Sequence, residues 1–334
     1  MRIVLDAMGS DHYPDPEVRA AGIAAQKFGD EILLVGNEDL LTPKLEAFKV
    51  SDKVKIIHAP EVLEMTDKPA ASARGKAKNS MAVGMDLLKT GQGDAFVTAG
   101  NTGGAMVNGL FRLGRVRGVK RPALTGVFPT QNGQCVVLDI GANADCKPEY
   151  LLQFALMGSI YAEKIYKIQK PRLALMSNGE EAGKGNELTK AAYELLEKSP
   201  LNFIGNVEAK EVYGGQVDVL VTDGFTGNVF LKTSEAVAKF MTGLLKEELM
   251  SSTRTKLGAL LAKPAFDTLR RTMNSDEIGA IPLLGLDGLV LVGHGRSNAD
   301  ALVSAIRAAR HAVEVNLLEA VREGILQQMQ RARG

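Results

Sequence analysis

The chain has 334 residues, enough for a large hydrophobic core arranged as one α/β unit or as two domains. Its 40 basic and 39 acidic residues give a formal net charge of +1, so the overall charge does not favour nucleic-acid binding. The two cysteines, Cys135 and Cys146, lack metal-ligand spacing, so we expect neither a disulfide framework nor a metal site. No apolar run reaches the length of a membrane span and the first residues lack the apolar region of a signal peptide, which predicts a cytoplasmic protein.

The first part of the chain alternates short apolar runs with helical patterns, which predicts a largely parallel sheet. Strands are predicted at 2–6, 32–35, 54–58 and 95–98, and helices at 16–28, 40–48, 79–89 and 103–113. Two further apolar runs, 123–128 and 134–139, are joined by the turn-like sequence TQNG and predict a β-hairpin. An antiparallel pair among parallel strands makes the predicted sheet a mixed one.

The same alternation continues to the end of the chain. Strands are predicted at 172–176, 203–207, 217–221 and 288–292, and helices at 148–167, 186–198, 228–250 and 298–329, the last with a break at Gly324. The sequence has neither a repeat of solenoid period nor a low-complexity linker between regions. We therefore expect residues 1–334 to form a single α/β unit with two lobes.

Glycine-rich loops follow several of the predicted strands. The clearest lies in VDVLVTDGFTGNVF at 217–230, where an apolar strand leads into TDGFTGN and then into a helix. Similar loops begin at Asp6, Thr98, Asp139 and Ser177. Free backbone N–H groups at the start of a helix bind anions, and loops at the carboxyl ends of parallel strands converge on one crevice. The sequence therefore predicts a phosphate site where these loops meet.

Neutral hydrogen-bond donors stand beside glycine in these loops. Asn101 and Asn228 carry amides that can donate to an oxyanion without taking up a proton. Lys184, in the loop GEEAGKGN, is the predicted mobile cation, and Asp223 is predicted to orient a catalytic cation. The alternatives are a cap or turn for each asparagine, a solvated side chain for Lys184, and a cap or arginine partner for Asp223. The pattern favours phosphate binding beside a developing oxyanion over hydride transfer or hydrolysis.

The predicted phosphate ligands are spread over several loops. Glycine allows an anion to approach the backbone closely, serine and threonine add hydroxyl donors, and arginine offsets the charge. These predicted ligands are Gly9, Ser10, Arg74, Thr102, Gly103, Thr226 and Gly227.

Residues 251–274 differ from the rest of the chain. Pro264 interrupts the segment, which predicts two short amphipathic helices meeting at a tip. Its apolar side chains lie among lysines and arginines, and the candidates for membrane contact are Leu257, Leu260, Leu261 and Phe266. Apolar anchors framed by cations suit an anionic membrane surface or an acidic partner protein. The alternative is a helical hairpin that packs on its own core or on a second copy of the chain.

Nine motifs spread over nearly the whole chain belong together. They are DAMGSD at 6–11, TAGNTGGA at 98–105, LGRVRGVKRPAL at 113–124, DIGANADCKPEYLLQFALMGSIYA at 139–162, GKGNELTKAAYELL at 183–196, NVEA at 206–209, DGFTGNVFLKTSE at 223–235, PLLGLDG at 282–288 and HGRSNADAL at 294–302. In combination they resemble bacterial phosphate acyltransferases of the PlsX type, which are acyl-carrier-protein:phosphate transacylases. The chain departs from that family at Gly9-Ser10-Asp11, where the family has Gly-Gly-Asp, and in a shortened turn at 177–179.

The resemblance implies a three-layer α/β/α fold with a mixed sheet, like that of isocitrate dehydrogenase and phosphotransacetylase, and a homodimer. It implies transfer of a long-chain fatty acyl group from the thioester of acyl carrier protein to inorganic phosphate, with no cofactor. The acyl phosphate would feed phospholipid synthesis through a downstream glycerol-3-phosphate acyltransferase. Members of the family are peripheral membrane proteins, which favours membrane contact for residues 251–274 as a hairpin inserted in the second lobe.

Acyl carrier protein is acidic, so the resemblance also requires a basic docking surface. Five cations crowd residues 112–121, and Arg115 and Arg117 are the predicted docking residues. The alternative is that these cations pair internally or across the dimer.

Three rival functions follow from the same residues. A phosphotransacetylase that uses coenzyme A would share the fold and the chemistry. A dehydrogenase of related fold is disfavoured because no GxGxxG fingerprint is present. A membrane-associated scaffold for lipid synthesis would bind vesicles without forming acyl phosphate.

Overall fold

The computed structural model describes residues 1–50, 52–69, 75–266 and 279–331. Eleven strands lie in these ranges: β1 (Arg2–Asp6), β2 (Glu31–Gly36), β3 (Val54–His58), β4 (Ala95–Thr98), β5 (Ala123–Thr130), β6 (Gly133–Leu138), β7 (Leu173–Met176), β8 (Phe203–Val207), β9 (Val219–Val221), β10 (Ile281–Leu284) and β11 (Val290–Val292). Eleven helices are described with both ends: α1 (Asp15–Phe28), α2 (Glu38–Ala47), α3 (Ser80–Lys89), α4 (Thr102–Arg112), α5 (Pro148–Tyr166), α6 (Glu187–Glu197), α7 (Ala209–Tyr213), α8 (Gly224–Met250), α9 (Thr253–Leu261), α10 (Ala299–Glu314) and α11 (Leu317–Arg331).

The strands form one mixed sheet in the order β3-β2-β1-β4-β11-β10-β5-β6-β9-β7-β8. The first strand set, β1 to β4 with β11, is parallel, and so is the second strand set, β6 to β9. Between the sets, β10 is antiparallel to β11, β5 to β10, and β6 to β5, which confirms the predicted hairpin. Three successive reversals leave the two sets running in opposite directions.

This reversal corrects the expectation that all the glycine-rich loops leave the sheet at the same end of the strands. The loops after β1 and β4 leave it at one end of the strands, whereas the loops after β6, β7 and β9 leave it at the other end. The predicted site residues therefore fall into two groups. We call the loops after β1, β4 and β11 the first loop group, and those after β6, β7 and β9 the second loop group.

Helices cover both faces of the sheet, which confirms the predicted three-layer α/β/α fold. One face buries α1, α5, α10 and α11 against the largest hydrophobic cluster. On the other face, α3 and α4 pack over the first strand set, and Phe230 and Leu231 of α8 pack over β5 and the second set. Leu124 of β5 contacts both of these clusters, so α4 and α8 lie on the same face, to either side of β10 and β5.

Asparagine caps start many of the helices. In five helices the asparagine before the first helical residue accepts a hydrogen bond from a first-turn N–H, and these caps are Asn37, Asn79, Asn101, Asn186 and Asn298. Such a cap satisfies one of the N–H groups that a helix start leaves without an intrahelical partner. Asn101 is therefore a helix cap, which was the alternative to its predicted role as an oxyanion donor. Asn228 lies inside α8 and caps no helix.

Several predicted boundaries are wrong. Helix α8 begins at Gly224 rather than at residue 228, because Asp223 caps it. The break near the carboxyl end falls at Asn316, whose φ of 52° ends α10. Gly324 lies inside α11, where an added Cβ would stand 2.5 Å from Ile160 Cδ1, so this glycine allows close helix packing. Strand β10 and the short helix α7 have no counterpart among the predictions.

The far end of α8 carries an apolar surface that the sequence patterns did not single out. Its exposed side chains are Val237, Phe240, Met241, Leu244 and Leu245. Helix α9 packs against α8 and exposes Leu257, Leu260 and Leu261, whereas Phe266 is half-buried. Residues 267–274 of the predicted hairpin lie outside the described residues. No helix within the described ranges is long and apolar enough to cross a bilayer.

Candidate active site

The turn after β6 is organised by the carboxylate of Asp139. Its Oδ1 accepts hydrogen bonds from the backbone N–H groups of Leu124, Gly141 and Ala142 at 3.0, 3.1 and 3.0 Å. Its Oδ2 accepts from the backbone and side-chain nitrogens of Asn143 at 2.7 and 2.8 Å. Burial raises the pKa of Asp139, and these hydrogen bonds offset part of the rise. Asp139 therefore holds the shape of this turn.

Helix α8 is seated directly on that turn. The Gly224 N–H donates to the Asn143 carbonyl at 2.8 Å. A Cβ at Gly227 would stand 1.9 Å from the carbonyl oxygen of Asp139, so only glycine fits there. The glycines of TDGFTGN thus let a helix approach a strand end, in addition to any role toward a ligand.

The backbone donors predicted at residues 226–228 are already used. Asp223 accepts the Thr226 N–H at 2.9 Å and the Thr226 hydroxyl at 2.8 Å, as the N-cap of α8. The Gly227 N–H donates to the Asp223 carbonyl at 2.9 Å. The prediction of a loop with free N–H groups here is wrong because the helix begins earlier. Phosphate binding by Thr226 and Gly227 stays a prediction, as does cation orientation by Asp223.

Two exposed side chains of the second loop group are available for a ligand. An added Cβ at Gly141 would stand 3.9 Å from Asn228 Oδ1, so the Asn228 amide projects beside the Asp139 turn. Lys184 is exposed, and its aliphatic stem lies against Gly179. Within the described ranges, neither Asn228 nor Lys184 has a side-chain hydrogen bond or ion pair.

Two hydrogen bonds hold the loop that carries Lys184 in place. The buried Asn206 side chain donates to the Glu181 carbonyl at 2.9 Å, and the Gly185 N–H donates to Asn178 Oδ1 at 2.9 Å. This loop follows β7, and β7 pairs with β9, which leads into α8. Lys184 and Asn228 therefore lie at the carboxyl ends of two neighbouring strands.

In the first loop group, a buried carboxyl joins two loops. Asp6, at the end of β1, accepts the Met8 N–H at 3.0 Å and the Thr98 hydroxyl at 2.6 Å. The Thr98 hydroxyl accepts the Gly100 N–H at 2.9 Å. A Cβ at Gly9 would stand 2.7 Å from Asp6 Oδ2 and 2.9 Å from the Gly100 nitrogen, so Gly9 permits this close contact. Burial raises the pKa of Asp6, against the hydrogen bonds that favour its charged form.

The start of α4 offers free backbone donors. Asn101 accepts the Gly104 N–H at 2.9 Å, and its amide donates to the carbonyls of Met65 and Asp67 at 3.0 and 3.3 Å. The N–H groups of Thr102 and Gly103 have no partner within the described residues, as expected for a first helical turn. Arg74, predicted to offset the charge here, lies outside the described residues.

The structure thus separates the predicted residues. Gly9, Ser10, Asn101, Thr102 and Gly103 belong to the first loop group. The second loop group holds Lys184, Asp223, Thr226, Gly227 and Asn228. Helices α4 and α8 nevertheless start on the same face of the sheet, flanking β10 and β5.

The basic segment 112–121 adjoins the second loop group. Pro122, which follows it, accepts a hydrogen bond from the Asn143 side chain at 2.8 Å. Arg112 is used internally, because it pairs with Asp86 at 2.9 Å, and the Arg115 guanidinium donates to the Lys120 carbonyl. Arg117 is exposed and forms no ion pair with a described residue. The carboxyl end of the segment therefore lies beside Asn143, and Arg117 adds an exposed positive charge within the segment.

Neither cysteine has the properties of a reactive thiol. Cys135 is buried, and burial raises the pKa of the half-buried Cys146 to about 12, so neither is a thiolate near neutral pH. In the described part of the chain, no three His, Cys, Asp or Glu residues are grouped so that they could hold a metal ion.

Sequence reasoning missed one buried group in the first loop group. Glu17 in α1 is fully buried and its Oε1 accepts the Ser10 N–H at 3.1 Å. An acidic residue in the first turn of a helix usually indicates a favourable interaction with the helix dipole at the surface, so its sequence position gave no signal. Its burial depends on the packing of α1 against β1.

The fold places the chain in a class of α/β/α proteins that includes the phosphotransacetylases. The crystal structure of a phosphotransacetylase from Streptococcus pyogenes matches with a TM-score of 0.62 at 18% identity, covering 93% of this chain and 94% of that one. A branched-chain phosphotransacylase from Enterococcus faecalis matches with a TM-score of 0.55 at 14% identity, covering 94% of this chain and 100% of that one. At such identities the likeness shows the fold.

Sequence comparison identifies the family. The model of the fatty acid synthesis protein family matches residues 1–320. A phosphate acyltransferase from Pelotomaculum thermopropionicum is 46% identical over 325 residues, which cover 97% of this chain and 95% of the relative. The chain belongs to the phosphate acyltransferase family of fatty acid synthesis proteins, which confirms the resemblance drawn from its motifs.

Proposed function

We propose that the protein transfers a long-chain fatty acyl group from the thioester of acyl carrier protein to inorganic phosphate. Family membership supports an acyltransferase that acts on phosphate. The observation that carries the finer proposal is the exposure of Asn228 and Lys184, both unpaired among the described residues, in the loop group whose Asn143 contacts Pro122 at the end of the basic segment 112–121. An acidic carrier that docks on this segment would present its thioester to those two side chains.

In the proposed reaction a phosphate oxygen attacks the thioester carbonyl carbon. The Asn228 amide donates to the oxyanion of the tetrahedral intermediate, and the C–S bond then breaks to give acyl phosphate. The carrier thiolate leaves and takes a proton from Lys184 or from water. Asn101 is a poorer oxyanion donor because both amide hydrogens already face the Met65 and Asp67 carbonyls.

Phosphate is assigned to the start of α4. The N–H groups of Thr102 and Gly103, which have no partner among the described residues, lie at a helix amino terminus, where the helix dipole also favours an anion. Lys184 would offset the negative charge from the second loop group. For transfer, the phosphate at the first loop group and the thioester at the second loop group must meet over the face formed by β10 and β5.

The direct test of this function uses purified protein, an acyl carrier thioester, phosphate and hydroxylamine, which traps an acyl phosphate as a hydroxamate. Phosphate-dependent hydroxamate with the carrier substrate is the expected result. Faster turnover of acetyl coenzyme A would indicate a phosphotransacetylase instead, and a change in nicotinamide absorbance would indicate a dehydrogenase. Vesicle binding without any hydroxamate would support a scaffold.

Charge reversal at Arg117 is expected to weaken use of the carrier substrate. Arg117→Glu should raise KM for the acyl carrier thioester about fivefold or more at low salt, because an acidic partner loses an attractive charge and meets a repulsive one. Arg115→Glu should also raise this KM, but it removes the hydrogen bond from the Arg115 guanidinium to the Lys120 carbonyl as well. Lys198→Glu, at the far end of α6, serves as the control for a change in net charge. Equal KM values for Arg117→Glu and Lys198→Glu would remove this docking surface.

The apolar surfaces of α8 and α9 support two further proposals. We assign the exposed face of α8 to a homodimer, since an apolar strip this long on a helix marks an interaction surface. Membrane contact is assigned to the α9 end, with Leu257, Leu260, Leu261 and Phe266, which would release acyl phosphate beside a downstream glycerol-3-phosphate acyltransferase.

A double substitution separates membrane contact from dimerisation. Leu260→Asp with Leu261→Asp, the latter side chain being 78% exposed, should abolish co-sedimentation with anionic vesicles. Activity on the soluble carrier thioester and the dimeric sedimentation coefficient should both be retained. Leu326→Asp in α11 is the control, because Leu326 is also exposed. A double variant that binds vesicles normally but sediments as a monomer would reassign α9 to the dimer.

A further inference from the structure

Two fully buried carboxyl groups, those of Asp6 and Glu17, accept hydrogen bonds from the loop 6–11 or its neighbours. Asp6 accepts the Met8 N–H and the Thr98 hydroxyl, and Glu17 accepts the Ser10 N–H at 3.1 Å. Glu17 Oε2 and Ser10 Oγ are both buried, and neither has a hydrogen bond in the described structure. A buried carboxylate oxygen without a donor is costly, so this arrangement is incomplete unless a proton is added.

No cation compensates these carboxyl groups within the described residues. Helix α1 packs against α2, α10 and the strands β1, β2 and β3. The ion pairs of these elements are formed elsewhere: Lys44 with Asp15, Arg310 with Asp30, Lys55 with Glu31, and Arg2 with Asp94. The charged group that acts on Glu17 is Asp6, which also disfavours a second negative charge.

Burial raises the pKa of Glu17 to about 7, the charge of Asp6 adds to the rise, and hydrogen bonding from Ser10 opposes it. The neighbouring Ser10 hydroxyl and a protonated Glu17 can satisfy one another, which accounts for two polar atoms that otherwise have no partner. A negative charge on Asp6 therefore favours the protonated form of Glu17.

We propose that Glu17 is a positioning residue for phosphate binding: protonated, it holds the loop 6–11 against the start of α4, and its ionisation loosens that contact. The contact runs through few atoms. Ser10 is tied to Glu17, Gly9 fits against Asp6, Thr98 and Gly100, and Gly100 precedes the Asn101 cap of α4. This inference rests on the proposed function, since it concerns the phosphate assigned to Thr102 and Gly103.

The first test compares wild-type protein with Glu17→Gln, which keeps the acceptor for Ser10 and carries permanent N–H donors. The wild-type phosphate KM should rise about fivefold or more, relative to Glu17→Gln, between about pH 6 and pH 8.5, with a smaller change in kcat. Using the ratio of the two proteins cancels the titration of phosphate itself. Asp15→Asn, which changes a half-buried carboxyl of the same helix that pairs with Lys44, should follow the wild-type profile. A constant ratio at every pH would overturn the positioning role.

A second measurement does not depend on turnover. Because the folded pKa of Glu17 is raised, the folded protein binds the extra proton, and wild-type stability should fall as pH rises from about 4.5 to about 7. Glu17→Gln should lack this slope, so its melting temperature should exceed that of wild type at pH 8 and match it near pH 5. Equal slopes would show that Glu17 is not protonated, even if the acyl transfer assay fails for other reasons.

Discussion

Gly227→Ala should cost at least about 4 kcal/mol of unfolding free energy, or prevent folding altogether. The new Cβ would stand 1.9 Å from the carbonyl oxygen of Asp139 and 2.9 Å from its carbonyl carbon. Both are backbone atoms, so no rotamer change can relieve the overlap. The start of α8 would have to move away from β6, which would break the Gly224 to Asn143 hydrogen bond and the packing behind it.

The same helix contains its own control. A Cβ added at Gly243 would meet nothing within 4 Å, so Gly243→Ala should stabilise the protein by about 0.5–1 kcal/mol through helix propensity. The midpoint of urea unfolding, followed by circular dichroism, measures both variants. Similar midpoints for Gly227→Ala and wild type would show that α8 does not sit on the Asp139 turn as described.

Asn228→Ala and Lys184→Ala should each lower kcat/KM for acyl phosphate formation at least about tenfold. An oxyanion donor is worth about 10²- to 10³-fold in kcat, so Asn228→Ala should act mainly on kcat. Lys184→Ala should act on the phosphate KM as well as on kcat, because its charge is assigned to both phosphate and the leaving thiol. Discontinuous hydroxamate assays at varied phosphate provide the two constants.

Stability measurements distinguish a loss of catalysis from a loss of folding in these variants. Asn228 and Lys184 are exposed and have no described hydrogen bond or ion pair, so either alanine should change unfolding free energy by less than about 0.5 kcal/mol. Lys190→Ala and Lys239→Ala, on α6 and α8, are the matched controls and should retain activity. Near wild-type kcat/KM for both Asn228→Ala and Lys184→Ala would remove the catalytic assignment.

Local patterns were sufficient to predict most elements of the fold. The β5–β6 hairpin and most helices and strands of the alternation occur close to their predicted ranges, because apolar periodicity and turn residues act over a few positions. Strand β10 escaped prediction, although it pairs with both β11 and β5. Four residues, IPLL, carry too little pattern to show a partner more than 150 positions away.

The division of the candidate site depends on the pairings in the middle of the sheet. Two of the three antiparallel pairings between the strand sets involve β10, so β5 runs in the same direction as β11, and the β5–β6 hairpin then reverses the second strand set. Without β10 the direction of β5 relative to the first strand set could not be predicted, and loops such as those at Asn101 and Asn228 were expected to leave the sheet at the same end of the strands. The residue types were predictable from chemistry, whereas their division into two groups depends on long-range pairing.

The late position of β10 and β11 in the chain bears on how the protein is made. β11 pairs with β4, which lies nearly 200 residues earlier, and β10 joins it to β5. A ribosome must therefore complete almost the entire polypeptide before the two parallel halves can become one continuous sheet. Pairing across such a separation is slow, and until it occurs the nascent chain presents unpaired edges at β4 and β5 that invite capture by chaperones or by other copies of itself.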